Sequence, residues 1–162
     1  MENAKDTFYI TLRNRLGTVN PNRTMVMRAL TRPGILVEEA EASTARLPLD
    51  VFVLRWTKLT TDAELPSILT QLTCEIHYAT AGTQANAGLD RGRALEGMDD
   101  ELLQILCPSS TPKMNYTQTP AVQMGTSVFW SQAIFAATTI TRERLERLAT
   151  VNVFAFQEQG EK

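Results

Sequence analysis

One imidazole and two thiols are the scarcest reactive groups in this chain, and their number already restricts its chemistry. His77 is the single histidine of 162 residues, and Cys74 and Cys107 are the two cysteines. Paired-histidine zinc sites, the helical metalloprotease motif and di-iron bundles all require more imidazoles than that. Cys74 and His77 lie three residues apart, a spacing that brings side chains together on a helix but sends them to opposite faces of a strand. Around Cys107 nothing local supplies the base, orienting group and oxyanion donors that acyl transfer needs. His77 therefore reads as a surface or interface residue, and the cysteines as reduced thiols rather than a disulfide framework.

Other residue types that carry chemistry are present without the required spacing. Gly82, Gly88, Gly92 and Gly97 form neither the dinucleotide fingerprint nor a phosphate loop. Glu38, Glu39 and Glu41 lack the Asp/Asn/Gly order of a calcium loop. Asp99, Asp100 and Glu101 read as a solvated acidic helix face. Arg91 and Arg93 occupy a helix's first turn, where the dipole disfavours cations unless an anion, a neighbouring subunit or water meets them. No catalytic residue, metal ligand or cofactor site is assigned. An alternative of a different class, a small enzyme or ligand-binding domain, would use a pocket lined by Trp56, Tyr78 and Trp130.

The elements that must position these residues are legible from periodicity. Ile68, Thr70, Leu72, Cys74, Ile76 and Tyr78 alternate with Leu69, Gln71, Thr73, Glu75 and His77, giving a strand with one apolar and one polar face. Leu95, Met98, Leu102 and Ile105 form one stripe of a helix that Asp90 can cap and Cys107-Pro108 ends. A first helix over residues 3–17 follows from Ala4, Phe8, Leu12 and Leu16, with Asn3 as cap and Gly17 as stop. Residues 24–30 and 35–39 read as a hairpin around a Thr31-Arg32-Pro33-Gly34 turn. Residues 40–48 and 60–66 read as loops on either side of a strand over 51–58, in which Phe52, Leu54 and Trp56 share a face, and that strand should pair antiparallel with the next. A last strand, 144–156, carries apolar residues on both faces and belongs in the sheet centre; the tail 157–162 should fray. The fold class is α+β: a mostly antiparallel sheet with an N-terminal helix and a second helix packed on it.

Between Leu102 and Arg142 the only charge is Lys113. Residues 108–125 within this window, with Met114, Tyr116, Val122 and Met124 among Thr, Ser, Gln and Pro, read as an extended loop or subunit-contacting arm. Charges are depleted at the centre of contacts, so the window suits an interface.

Length fits one domain spanning 1–162, able to bury about two thirds of its unfolded surface. A net charge of −2 gives no global reason for nucleic-acid binding, yet Arg13, Arg15, Arg23, Arg28 and Arg32 leave a local basic patch open. No apolar run approaches the roughly 18 residues of a membrane span, and the N-terminus lacks the order of a signal peptide, so synthesis in the cytoplasm is expected.

The run Cys74-Glu75-Ile76-His77-Tyr78-Ala79-Thr80-Ala81-Gly82, with Asp90-Arg91-Gly92-Arg93-Ala94-Leu95 and Met98-Asp99-Asp100-Glu101-Leu102, resembles small proteins encoded among the tail genes of long-tailed bacteriophages and prophages. Over residues 1–106 the order of elements is similar to the tail-terminator, or tail-completion, family. The resemblance implies a structural virion protein, not an enzyme: a homo-hexameric ring that caps the tail tube and meets the head. Its implied partners are the tail tube protein, neck or head-completion proteins and possibly sheath protein, with DNA passing through the lumen without sequence-specific binding and no membrane. Another tail or neck component, such as a head-tail adaptor touching DNA through the N-terminal arginines or a tube or baseplate protein, would use the same kind of domain. Subunit contacts are expected at Gln71, Thr73, Glu75, His77, Arg91, Arg93, Met114, Tyr116 and Met124. A ring needs two unlike flanks, and the exposed polar sheet face, open sheet edges and uncharged arm are the candidates.

Overall fold

Strand β5 (Leu69–Thr80) divides the molecule into two faces. Thr70, Leu72, Cys74, Ile76 and Tyr78 are buried while the residues between them stay half-exposed, as the alternation predicts. This computed structural model describes residues 1–41, 46–64, 67–159 and 161. Parts of the expected loops 40–48 and 60–66 and of the expected frayed tail lie outside the described residues.

Strand β5 pairs antiparallel with β4 (Phe52–Asp62) on one side and with β10 (Arg144–Phe156) on the other. The order continues outward to β3 (Ile35–Val37), parallel to β4, and through β7 (Val122–Trp130) to β6 (Ser110–Asn115), giving β3-β4-β5-β10-β7-β6. Two short strands, β8 (Ile134–Phe135) and β9 (Thr139–Thr141), pair with the first half of β10. Strand β10 is central, as its two-sided apolar pattern requires. Residues 110–115 are a strand, not the expected loop: Ser/Thr-rich sequence with Met at intervals is compatible with pleated backbone, and Pro112 sits in an end strand where a missing N–H costs little.

Helices α1 (Glu2–Val19) and α3 (Arg91–Ile105) cover one face of the sheet. Leu95, Met98, Leu102 and Ile105 are the buried stripe of α3, matching the periodicity. In α1 the stripe Ala4, Phe8, Leu12, Leu16 is widened by Thr7 and Tyr9. The helix starts one residue before Asn3, whose carbonyl accepts from Thr7 instead of its side chain capping, and runs two residues past Gly17. Asp90 does not cap α3 either; its carboxylate accepts from the backbone N–H of Thr83 at 2.9 Å and ties down the preceding loop, which includes a 3-10 turn, Gln84–Asn86. The C-terminal carbonyls around the end of α3 are met by Arg15, which donates to Ile105 O at 2.9 Å and Cys107 O at 3.2 Å.

The first hairpin is displaced from its expected position. Strands β1 (Thr24–Met27) and β2 (Leu30–Pro33) form a separate two-stranded ribbon turning at Arg28 and Ala29, whose φ values of 50° and 65° suit a tight hairpin turn. Gly34 is not a turn residue: a Cβ there would come within 3.2 Å of Val51 Cγ1 and 3.3 Å of Arg23 Cγ, so glycine permits the chain to pass from ribbon to sheet. After β3, a single helical turn α2 (Glu38–Glu41) begins where the strand was expected to continue and occupies the start of the expected loop.

The edges of the main sheet are not open, contrary to the expectation. Across five strand spacings, β3 and β6 would stand about 24 Å apart in a flat sheet. Yet residues two apart in α1 bond to both: the Tyr9 hydroxyl donates to Ile35 O at 3.4 Å, and Met114 N–H donates to Thr7 Oγ1 at 2.9 Å. The sheet therefore curls around α1, which occupies the gap and blunts both edges against strand addition.

Lys113, the lone charge of its window, is 0% exposed. Its ammonium donates to Phe156 O and to Glu161 Oε2, each at 2.7 Å, and lies 3.6 Å from Glu158 Oε1. Glu158 in turn accepts from Thr126 N–H at 2.9 Å. The tail around these two glutamates is thus bonded to the β6–β7 hairpin, not frayed. Burial alone would raise the Glu161 carboxyl, but the hydrogen bond and charge of Lys113 and the Glu158 N–H outweigh it and hold it below the ordinary value.

Candidate interface surfaces

On the face of β5 away from the helices, Gln71, Thr73, Glu75 and His77 stand opposite Phe154, Asn152, Thr150 and Leu148 of β10. The structure brings these four expected contact residues together on one surface. Thr73 donates to Asn152 Oδ1 at 3.1 Å, and His77 Nε2 lies 3.0 Å from Glu75 Oε2. Beside them Phe154 stacks on Phe129 at 5.3 Å between ring centres, and exposed Ile134 stands opposite Thr150. Half-polar, half-aromatic and uncovered by any described element, this face is chemically suited to contact and carries no nucleophile: Cys74 points to the other side, where burial raises its thiol far above the ordinary range.

The remaining expected contact residues do not join that surface. Arg91 turns back into its loop, its Nε donating to Ala81 O at 3.2 Å and its guanidinium filling the space where a Cβ on Gly88 would sit. Arg93 is exposed on α3, apart from the sheet face. Met114, Tyr116 and Met124 are half-buried in the β6–β7 hairpin, where α1 seals the edge. Their expected role came from reading 108–125 as an arm; pairing of β6 with β7 removes the reach an arm would have.

The acidic face of α3 is only partly solvated. Asp99 accepts from the Tyr78 hydroxyl and, at 2.6 Å, from Arg147, fixing the helix to β5 and β10. Glu101 accepts from Arg23 and from Asn20 at 2.6 Å, fixing it to the β1–β2 ribbon. Asp100 alone of the three is exposed. The run of glutamates is likewise paired where described, Glu38 with Arg55 at 2.5 Å and Glu39 with Lys5 at 3.5 Å; the side chain of Glu41 lies outside the described residues.

Trp56, Tyr78 and Trp130 do not line a common pocket. Phe8 is wedged edge-on between the two indoles, 5.7 Å from Trp56 and 5.2 Å from Trp130, while Tyr78 packs on Phe52. Trp56 instead borders a cleft of about 130 Å³ with Glu2, Lys5, Asp6, Tyr9, Val37 and Glu39. Burial and the Glu2 charge raise the Asp6 carboxyl there. The cleft is small beside the roughly 300–1,000 Å³ typical of ligand sites, and its lysine already bridges Glu2 and Glu39.

The five N-terminal arginines separate by function. Arg15 and Arg23 are committed internally, to the end of α3 and to Glu101 with Asp50 O. Arg13, over the Tyr9 ring, and Arg32 flank a groove of about 600 Å³ between α1 and β2, also lined by Asn14, Gly17, Leu30, Thr31 and Pro33. Arg28 marks the ribbon's turn beside it. At the other end of β4, about 30 Å away along the strand, stand Leu59, Asp62, Glu64 and Ile68, all exposed. The pattern of β4 gave no hint of this second projection because the expected strand ended at Lys58.

No family model matches this chain, and no curated protein matches it in sequence. No helix among the described residues is long and apolar enough to cross a membrane.

Proposed function

We propose that this protein is a structural subunit of a bacteriophage tail, a homo-hexameric ring at the head-proximal end that stops tube growth and meets the neck. The observation that carries this reading is the pair of unlike projections at opposite ends of β4: a ribbon with a basic groove at one, an acidic end with exposed Leu59 and Ile68 at the other. Unlike surfaces on one copy are what a head-to-tail ring needs, since a two-fold dimer would use one surface twice. Sealing of both main-sheet edges by α1 adds support, because it disfavours uncontrolled strand addition. The polar face around Gln71, Thr73, Glu75, His77 and the Phe129–Phe154 pair is then the surface offered to the tube or neck protein, while DNA passes through the ring without sequence-specific contact.

The test is light scattering of the purified protein together with electron microscopy of mixtures with tail tubes. Six-fold rings, free or seated on tube ends, are expected. A chain that stays monomeric and leaves tube ends bare would falsify the reading.

A further inference from the structure

The two projections are complementary to each other. The groove between α1 and β2 carries the guanidinium groups of Arg13 and Arg32 with apolar Leu30 and Pro33; exposed Val26 stands on the same ribbon, 70% exposed like Leu30. The far end of β4 presents Asp62 and Glu64 with Leu59, 55% exposed, and Ile68, 40% exposed. These two surfaces cannot meet within one molecule, because the full length of β4 separates them: Arg23 of the ribbon donates to Asp50 O, immediately before the strand begins, and Asp62 is the strand's last residue. Opposite charge steers encounter and fixes register, and apolar neighbours supply area that leaves water on contact.

We propose that the end of β4 of one copy seats in the α1–β2 groove of the next, Asp62 and Glu64 meeting Arg13, Arg28 and Arg32 while Leu59 and Ile68 cover Leu30 and Val26. This contact rests on the ring reading above and specifies its heterologous interface. A polyanionic nucleic acid is the other occupant such a groove could take. The observations favour protein, because two of the five N-terminal arginines are consumed internally and the groove floor is partly apolar, whereas phosphate binding rests on many exposed cations.

The experiment uses the full chain with Cys107→Ser, leaving buried Cys74 as the only native thiol. Asn14→Cys in the groove and Glu64→Cys at the strand end are introduced together and separately, both at exposed positions. Under mild oxidation the doubly substituted chain should give a ladder of linked copies, and a mixture of the two single variants should give linked pairs only. In parallel, Asp62→Lys with Glu64→Lys should weaken self-association on the order of a hundredfold, from placing like charges together at a contact. Rings without cross-links, or rings unaffected by the double lysine change, would overturn this contact and leave the ring reading standing. Monomers with and without tubes would remove both. Retention of duplex DNA that falls steeply with salt and is lost on Arg13→Glu, with self-association unchanged in the double lysine variant, would assign the groove to nucleic acid and overturn the proposal.

Discussion

The two faces of β5 are made by alternate residues of one strand, yet they have opposite physical characters. Cys74, Ile76 and Tyr78 meet α1 and α3 across a dry core, while Glu75 and His77, each covalently adjacent to them, meet no described element. Stability should therefore reside on the helix side, and the opposite side should tolerate change. The comparison is sharpest with phenylalanines. Phe8 is fully buried between Trp56 and Trp130, whereas Phe154 is half-exposed against Phe129. Phe8→Ala should cost about 3–5 kcal/mol, through lost transfer energy and the cavity left behind. Phe154→Ala should cost about 1 kcal/mol, since its ring already touches water and loses mainly one stacked partner. Urea unfolding of both variants at neutral pH measures the difference; equal losses would mean that the outer face is as much a core as the inner one.

A second break in the comparison lies at Lys113, where a charge has been drawn into the dry side. Lys113→Ala leaves Glu161, itself 1% exposed, without its principal partner, and stability should fall by about 3 kcal/mol. Lys113→Met combined with Glu161→Leu should recover most of that loss, because no uncompensated charge then stays buried. The pH dependence has a definite sign. Glu161 is held below its ordinary value in the fold, so its contribution is complete above about pH 4.5 and fades as pH falls through the lowered folded value. Thermal unfolding from neutral to acid pH should show this fade in the native protein and a reduced fade in the paired variant. An identical acid profile in both would place the acid-sensitive interaction elsewhere.

How much of this was legible follows the range of the interactions. The stripe Leu95, Met98, Leu102, Ile105 and the alternation from Thr70 to Tyr78 are local periodicities, and each appears in the fold where the sequence puts it. Capping by Asn3 or Asp90 is also a local expectation, but tertiary partners claim those groups: Thr7 uses the Asn3 carbonyl and Thr83 the Asp90 carboxylate. Other features depend on residues far apart in the chain. Glu101 finds Arg23, and Lys113 finds Glu161, only after the sheet has curled. The sole usable signal for the latter was a lysine alone in an uncharged window. Closure of both edges by α1 had no local signal at all, because curl is set by the whole strand order. The expected contact residues divide along the same line: Gln71, Thr73, Glu75 and His77 follow from alternation and share a face, while Met114, Tyr116 and Met124 were assigned from a supposed arm that is in fact a hairpin.

The smallest expected effect is the most informative about function. Glu75→Gln and His77→Gln remove one half-exposed pair, Nε2 to Oε2 at 3.0 Å, with both side chains in reach of water. Exposed pairs contribute about 0–1 kcal/mol, so each variant should unfold within about 0.5 kcal/mol of the parent. Binding to tail tubes or neck protein, however, should change, because a contact face has its charges desolvated when covered and an unmatched amide alters register as well as affinity. Pull-down or microscopy of tube ends with the two variants reads this directly. Unchanged stability with lost attachment would assign the outer face to a partner, and unchanged attachment would leave the ribbon and the end of β4 as the surfaces through which the protein acts.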